Sequence, residues 1–249
     1  MLKPSMLKSG PARALAPDEL LSRLLFRDGL MLIIDKPAGL PVHAGPGGGP
    51  NVEQYLDALR FGLPKLPALA HRLDRDTSGC LILGRHAKAL RKLGKLFQEG
   101  RIEKTYWAIV EGAPAAPEGR IDVNLRKFNQ KTGWRMLADP KGEGPDSQTA
   151  VTDYKVLGTA GDLTWIECHP KTGRTHQIRV HLQHLGCPIL GDPVYGASST
   201  DKASGLHLHS RAIGVPLYPK REPIVAVAPV PVHMLKALKA CGFVEDAAA

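Results

Sequence analysis

The chain has 249 residues, 43% of them hydrophobic, enough to bury a sizeable core and to exclude a largely disordered protein. Its 33 Lys and Arg against 24 Asp and Glu give a formal charge of +9, the balance of a protein that meets a polyanion such as nucleic acid or anionic lipid. Nowhere do roughly 18 apolar residues run together, so a signal peptide and a membrane span are disfavoured and a cytoplasmic protein is expected.

Residues 1–17 lack apolar periodicity and read as a flexible N-terminal arm, with one domain expected over 18–249. The apolar run at 30–34, stopped by Asp35-Lys36-Pro37-Ala38-Gly39, reads as a buried strand entering a turn. Glycines and prolines at 45–50 make a flexible loop, since no Gly-Lys-Ser/Thr follows them to hold a phosphate. Asn51 is placed to cap a helix through Arg60, with Val52, Tyr55, Leu56 and Leu59 as its apolar stripe. A second buried strand falls at 80–83, a helix at 86–99 that ends before Gly100, and a strand at 104–110 rich in aromatic and β-branched residues.

Residues 112–149 hold many Gly, Pro and charged residues and read as a hairpin excursion around Gly133 with mobile surroundings, either an RNA contact or a solvated loop. Strands resume at 150–157 and 163–169. A helix at 176–185 has Thr175 as its cap and Gly186 as its stop, and a last helix spans 232–240. Strands and helices interleave without regular βαβ spacing. The expected class is therefore α+β, a mixed, mainly antiparallel central sheet with peripheral helices and loops.

Cys80, Cys168, Cys187 and Cys241 lie far apart with no Cys-x-x-Cys pair, which argues for buried thiols rather than a zinc ribbon or redox dithiol. His176 and His181 diverge on a helix, and no acidic ligand lies near His181 and His184 in sequence. No metal is expected, although a metal-dependent hydrolase built on these histidines is a rival reading.

Two strings carry chemistry. In His71-Arg72-Leu73-Asp74-Arg75-Asp76-Thr77-Ser78-Gly79 an acid sits between two guanidinium groups beside a turn, so it would stay ionised and could act as a nucleophile; alone, the string also fits an ordinary surface turn. Gly173-Arg174-Thr175-His176-Gln177-Ile178-Arg179 opens a helix, where backbone amides and Arg174 could hold an anion, either a phosphate or Asp74 itself. Tyr106 and Trp107 alternate across their strand, and an aromatic in a basic cleft is suited to stacking on an extruded base.

Together with Asp35-Lys36-Pro37-Ala38-Gly39-Leu40, Lys104-Thr105-Tyr106 and Gly191-Asp192-Pro193-Val194-Tyr195-Gly196, these strings occur in the order found in RluA-type RNA pseudouridine synthases, which the chain resembles from about Leu24 to Met234. The resemblance implies a pseudouridine synthase-like fold and the isomerisation of specific uridines in RNA. It makes Asp74 the nucleophile, Arg174 its ion-pair partner, and Tyr106 the residue that stacks on the uracil and assists proton movement. Arg72 would fill the space left by the flipped base, Ile178 would wall the pocket, and Lys104 matches a position of unassigned role. The carboxylate could attack C1′, add to C6, or stabilise a glycal-forming step.

Because substrate and product are isomers, the resemblance implies no cofactor. The expected partner is a structured RNA, a stem-loop of ribosomal RNA or tRNA, and the expected state is a monomer. With the pattern starting near residue 24, no room is expected for the small N-terminal RNA-binding module of many relatives. The rival from charge and aromatics alone is a non-catalytic RNA-binding protein.

Overall fold

A computed structural model describes residues 14–16, 18–45, 48–130, 133–196 and 205–245. A short helix α1 (Glu19–Ser22) and strand β1 (Leu24–Arg27) lead into β2 (Met31–Lys36), where every residue is buried. Of the expected arm only residues 14–16 are described, and there Leu15 is buried with its amide donating to the Tyr55 hydroxyl. Asn51 caps the next segment as its position implies, its side chain accepting from the Glu53 amide at 3.1 Å. That segment is a 3-10 helix, Val52–Leu59, which buries Val52, Leu56 and Leu59.

Strand β3 (Ala68–Leu69) is followed by the loop at 70–77 and then β4 (Ser78–Gly84), buried throughout. Helix α2 (Ala87–Gln98) is capped by the His86 ring, which accepts from the Ala89 amide, and ends where Gly100 takes a left-handed φ of 65°. Strand β5 (Glu103–Glu111) precedes an excursion more regular than its composition implies: β6 (Glu118–Asp122), β7 (Asn124–Gln130) and β8 (Gly133–Asp139). The hairpin expected around Gly133 is the β7–β8 pair, closing with Gln130 opposite Gly133.

Strands β9 (Val151–Ala160) and β10 (Leu163–Pro170) form the next hairpin, followed by α3 (Gln177–His184), β11 (Leu208–Val215), β12 (Ile224–Val227) and α4 (Val232–Ala240). Gly186 stops α3 as expected. Thr175 does not cap it. His176 stands at that position in the left-handed region, φ 55°, and Gln177 holds the preceding loop instead. A Thr-His pair at a helix start reads as a cap by composition, but the αL turn at His176 takes Thr175 out of register with the first helical amides.

The described residues divide into two compact units. In Ala12–Trp107 with Leu208–Leu235, the strand order is β1-β2-β4-β11. β4 and β11 run parallel, and the other pairs of that unit are antiparallel. The period-2 alternation of β2 and β4 puts Met31, Ile33, Cys80 and Ile82 into one core with Leu93 and Leu96 of α2. In Ala108–His207 with Lys236–Ala249, β10-β9-β6 are antiparallel, and a small cluster of Leu125, Met136, Ala150, Val180 and Tyr195 joins the β7–β8 hairpin to α3. The class is the expected α+β with mainly antiparallel strands.

Candidate active site

The loop at 70–77 enters from β3 and leaves into β4, and a buried ammonium helps to hold it. Lys36, fully buried at the end of β2, donates to the carbonyls of Pro37 and Leu40 at 2.8 Å and of Arg75 at 2.9 Å. The Arg75 carbonyl also accepts from the Gly39 amide, and the Asp74 carbonyl from the Thr77 amide. Burial pushes Lys36 down to about 7, against the pull of Asp76, Asp74 and Asp35. The Asp-Lys-Pro-Ala-Gly-Leu string is thus the seat of the acidic loop, a role its turn-like composition did not disclose.

Asp74 is half-buried on this loop and Arg72 is exposed beside it. Arg75, the second of the two flanking cations, grips its own neighbour: Nε and Nη2 meet the two oxygens of Asp76 at 2.9 and 3.1 Å. His71 anchors the loop's entry. Its Nε2 accepts from the Ile82 amide at 3.0 Å and its ring packs on Phe97, so it is a neutral structural histidine, pushed down to about 3 by burial first and by Lys104 second. Lys104 is half-buried near that ring.

Tyr106 is buried on β5. Burial raises its phenol to about 12; a hydrogen bond with Ser210 pulls the other way and the charge of Asp74 adds to the rise. Asp74 and Tyr106, far apart in sequence, therefore share one electrostatic neighbourhood. Ser210 comes from β11 opposite Gly79 of β4, and Gly79 is required there: its φ is 106°, and a Cβ would run into the Ser210 carbonyl.

Arg174 and Ile178 lie in the other unit. Gln177 organises the loop before α3: its Oε1 accepts from the Thr172 hydroxyl at 2.7 Å and the Arg174 amide at 3.0 Å, and its Nε2 donates to the Val151 carbonyl and the Thr152 hydroxyl. The exposed Arg174 donates from Nε to the Thr149 carbonyl at 3.0 Å, and Ile178 is buried one turn on.

Sequence reasoning missed the pairing of the last two strings. Arg179 and Asp192 form a two-pronged ion pair at 2.8 Å on both arms, with side chains 5% and 0% exposed. Burial alone would raise the Asp192 carboxyl, but the hydrogen bonds and charge of Arg179 outweigh it and hold the acid low. Asp192 also accepts from the amides of Val194 and Tyr195, which fixes the turn that presents Tyr195 to His176 at 2.8 Å. Arg179 closes one motif string and Asp192 is the second residue of another, and nothing local to either pairs them.

Two buried histidines, His181 and His209, have structural tasks. His181 bonds the Thr152 hydroxyl and the Val123 carbonyl, and His209 bonds Ser78. Among the described residues no group of three His, Cys, Asp or Glu side chains is placed to hold a metal ion. The four cysteines are free and buried, as expected.

Residues 30–184 match the family model described as RNA pseudouridylate synthase. A relative in Zymomonas mobilis, named as an uncharacterised RNA pseudouridine synthase, is 45% identical over 85% of this chain and 95% of its own length. The Xanthomonas campestris protein named ribosomal large subunit pseudouridine synthase D is 35% identical over 90% of this chain and 71% of its own. Among solved structures, human RNA pseudouridylate synthase domain containing 4 is similar with a TM-score of 0.75 and 27% identity, over 90% of this chain and 95% of that one.

Proposed function

Since the chain belongs to the RNA pseudouridylate synthase family and is an isomerase of uridine in RNA, we propose that Asp74 is its nucleophile, acting on a uridine flipped out of a structured RNA. The observation that carries this reading is the convergence of Asp74 and Tyr106, from separate segments, with the phenol feeling the carboxylate's charge. The N1–C1′ bond breaks, the uracil turns, and a C5–C1′ bond forms while the C5 proton leaves and N1 gains one. Substrate and product are isomers, so the balance needs no oxidant or reductant.

Tyr106, held near 12, keeps its proton at neutral pH, so it serves as a donor and a stacking surface rather than as a ready base. Arg174, tethered at Nε by Thr149, is the residue to which the family resemblance gives the role of ion-pair partner of the nucleophile. Ile178 supplies an apolar wall. Arg72, exposed beside Asp74, takes the space vacated by the base, offsetting a flipping cost of a few kcal/mol. Lys104 adds positive charge near the loop, and the net +9 binds the phosphate backbone. The substrate is a stem-loop of ribosomal RNA or tRNA, and the protein works in the cytoplasm as a monomer and a single catalytic domain.

The test is pseudouridine mapping on cellular RNA after incubation with the protein and with Asp74→Asn. Site-specific product from the wild type and none from the variant, at equal RNA binding, is the expected result. Product from Asp74→Asn at the normal rate removes Asp74 from the chemistry.

A further inference from the structure

The β7–β8 hairpin carries an aromatic stack that the reaction does not use. In its register Asn129 faces Trp134 and Lys127 faces Met136, so Lys127, Trp134 and Met136 share the face turned toward α3. Met136 is buried, whereas Trp134 is 48% exposed, which is unusual for the largest side chain. Its indole is not loose. It stacks on the His176 ring at 5.4 Å with 20° between planes, and the ammonium of Lys127 lies 5.3 Å from its centroid.

The His176 ring is itself fixed. Nδ1 bonds the Tyr195 hydroxyl at 2.8 Å, that hydroxyl accepts from the Met136 amide at 3.0 Å, and the backbone of His176 sits in the left-handed region at φ 55°. A non-glycine residue held there is strained, and surrounding structure maintains the strain. The result is a preorganised, half-open indole backed by a second ring and flanked by a cation. The hairpin strands carry Arg126, Lys127 and Arg135 against the lone acid Asp139.

We infer that Trp134 is a stacking platform for an unpaired nucleobase of the RNA, with Lys127 beside it for the adjoining phosphate. This rests on the reading of the chain as an enzyme of RNA and adds a binding position remote in sequence from Asp74. A base offers a flat π-face to the indole whatever its identity, so the platform selects unpaired geometry rather than a sequence. A duplex keeps its faces stacked internally and presents only phosphates and grooves.

The test compares dissociation constants of the wild type, Trp134→Ala and Trp134→Phe for a labelled unpaired oligouridine and for an RNA duplex of equal length at one salt concentration. Trp134→Ala is expected to weaken the unpaired RNA about tenfold and leave the duplex within about twofold, while Trp134→Phe, which keeps a ring on His176, retains most of the affinity. Equal losses on both RNAs would reduce Trp134 to a support for the hairpin and overturn the inference. So would unchanged binding of unpaired RNA by Trp134→Ala in a protein that still makes pseudouridine. A wild type that neither binds nor modifies RNA would overturn the reading beneath it as well.

Discussion

The ammonium of Lys36 lies 2.9 Å from the carbonyl of Arg75, the residue after Asp74. A buried cation is costly unless its protons are all placed, and here three carbonyls take them. Lys36→Met keeps the volume but orphans the carbonyls of Pro37 and Leu40, a loss of about 2–3 kcal/mol on unsatisfied acceptors, measurable by urea denaturation. Freed from its seat, the acidic loop should also shift, and a displacement of about 1 Å suffices for roughly a hundredfold fall in single-turnover rate. Full activity in a folded Lys36→Met would show that the loop holds its shape without the ammonium.

Ser210 and Tyr106 make a second testable pair. The hydroxyl of Ser210 lies against the phenol next to Asp74, so Ser210→Ala should let the phenol's orientation relax. We expect kcat to fall about fivefold, near 1 kcal/mol for one neutral hydrogen bond, with little change in RNA affinity. In a Tyr106→Phe background the same substitution should add nothing. Additive losses in the double variant would mean that Ser210 acts through Gly79 and the β4–β11 pairing instead.

Tyr106→Phe should lower turnover more than RNA binding, since it removes a proton donor but keeps the ring. With the phenol raised to about 12, the rate should show no ionisation of this group between pH 7 and 10. A Tyr106-dependent inflection near pH 9 in the wild type, absent from Tyr106→Phe, would contradict that assignment.

The parts of the fold that announce themselves in sequence are those with local causes. The run at 30–34 is apolar without break, so it had to be a strand buried on both faces; α2 shows its stripe and α4 falls on its expected residues, 232–240. Asp74 and Tyr106 could be proposed from sequence because their strings are distinctive. What was hidden depends on meetings between distant segments. Nothing around Lys36 tells that its carbonyl partners include Arg75, and nothing around Arg179 tells that its acid is Asp192. The αL turn at His176 was equally hidden, because Thr-His imitates a cap and only the Gln177 contacts with Thr172 and Val151 show what holds the loop.

Acid should unfold this protein through its buried histidines. Burial pushes His71 down to about 3 and His209 to about 4, both below the ordinary imidazole value of about 6.5. A histidine whose folded pKa is depressed contributes stability above its unfolded pKa and loses it as pH falls from about 6.5 toward the folded value, because the unfolded chain takes the proton first. Each such group steepens the decline by at most about 1.4 kcal/mol per pH unit. Denaturation midpoints measured from pH 7 to pH 4.5 should therefore fall, and His209→Gln, which can still bond Ser78, should show a shallower slope. Equal slopes for the two proteins would mean that His209 takes up its proton in the folded state without penalty.

The Arg179–Asp192 pair gives the largest single effect expected on stability. Asp192→Ala leaves a guanidinium 5% exposed with no carboxylate and strips two amide bonds from the turn at Val194 and Tyr195, a loss of about 3–5 kcal/mol. Replacing both charges, Arg179→Met with Asp192→Leu, removes the stranded cation and should recover part of that loss, because two well-packed apolar side chains do not carry the desolvation cost of an ion pair. The recovery should be incomplete, since the two turn amides still lack an acceptor. The turn also delivers Tyr195 to His176, so both variants should loosen the hairpin against α3, read as faster amide exchange at Met136, whose N–H the Tyr195 hydroxyl accepts. Destabilisation by Asp192→Ala without any change at Met136 would separate the ion pair from the aromatic stack it is argued to support.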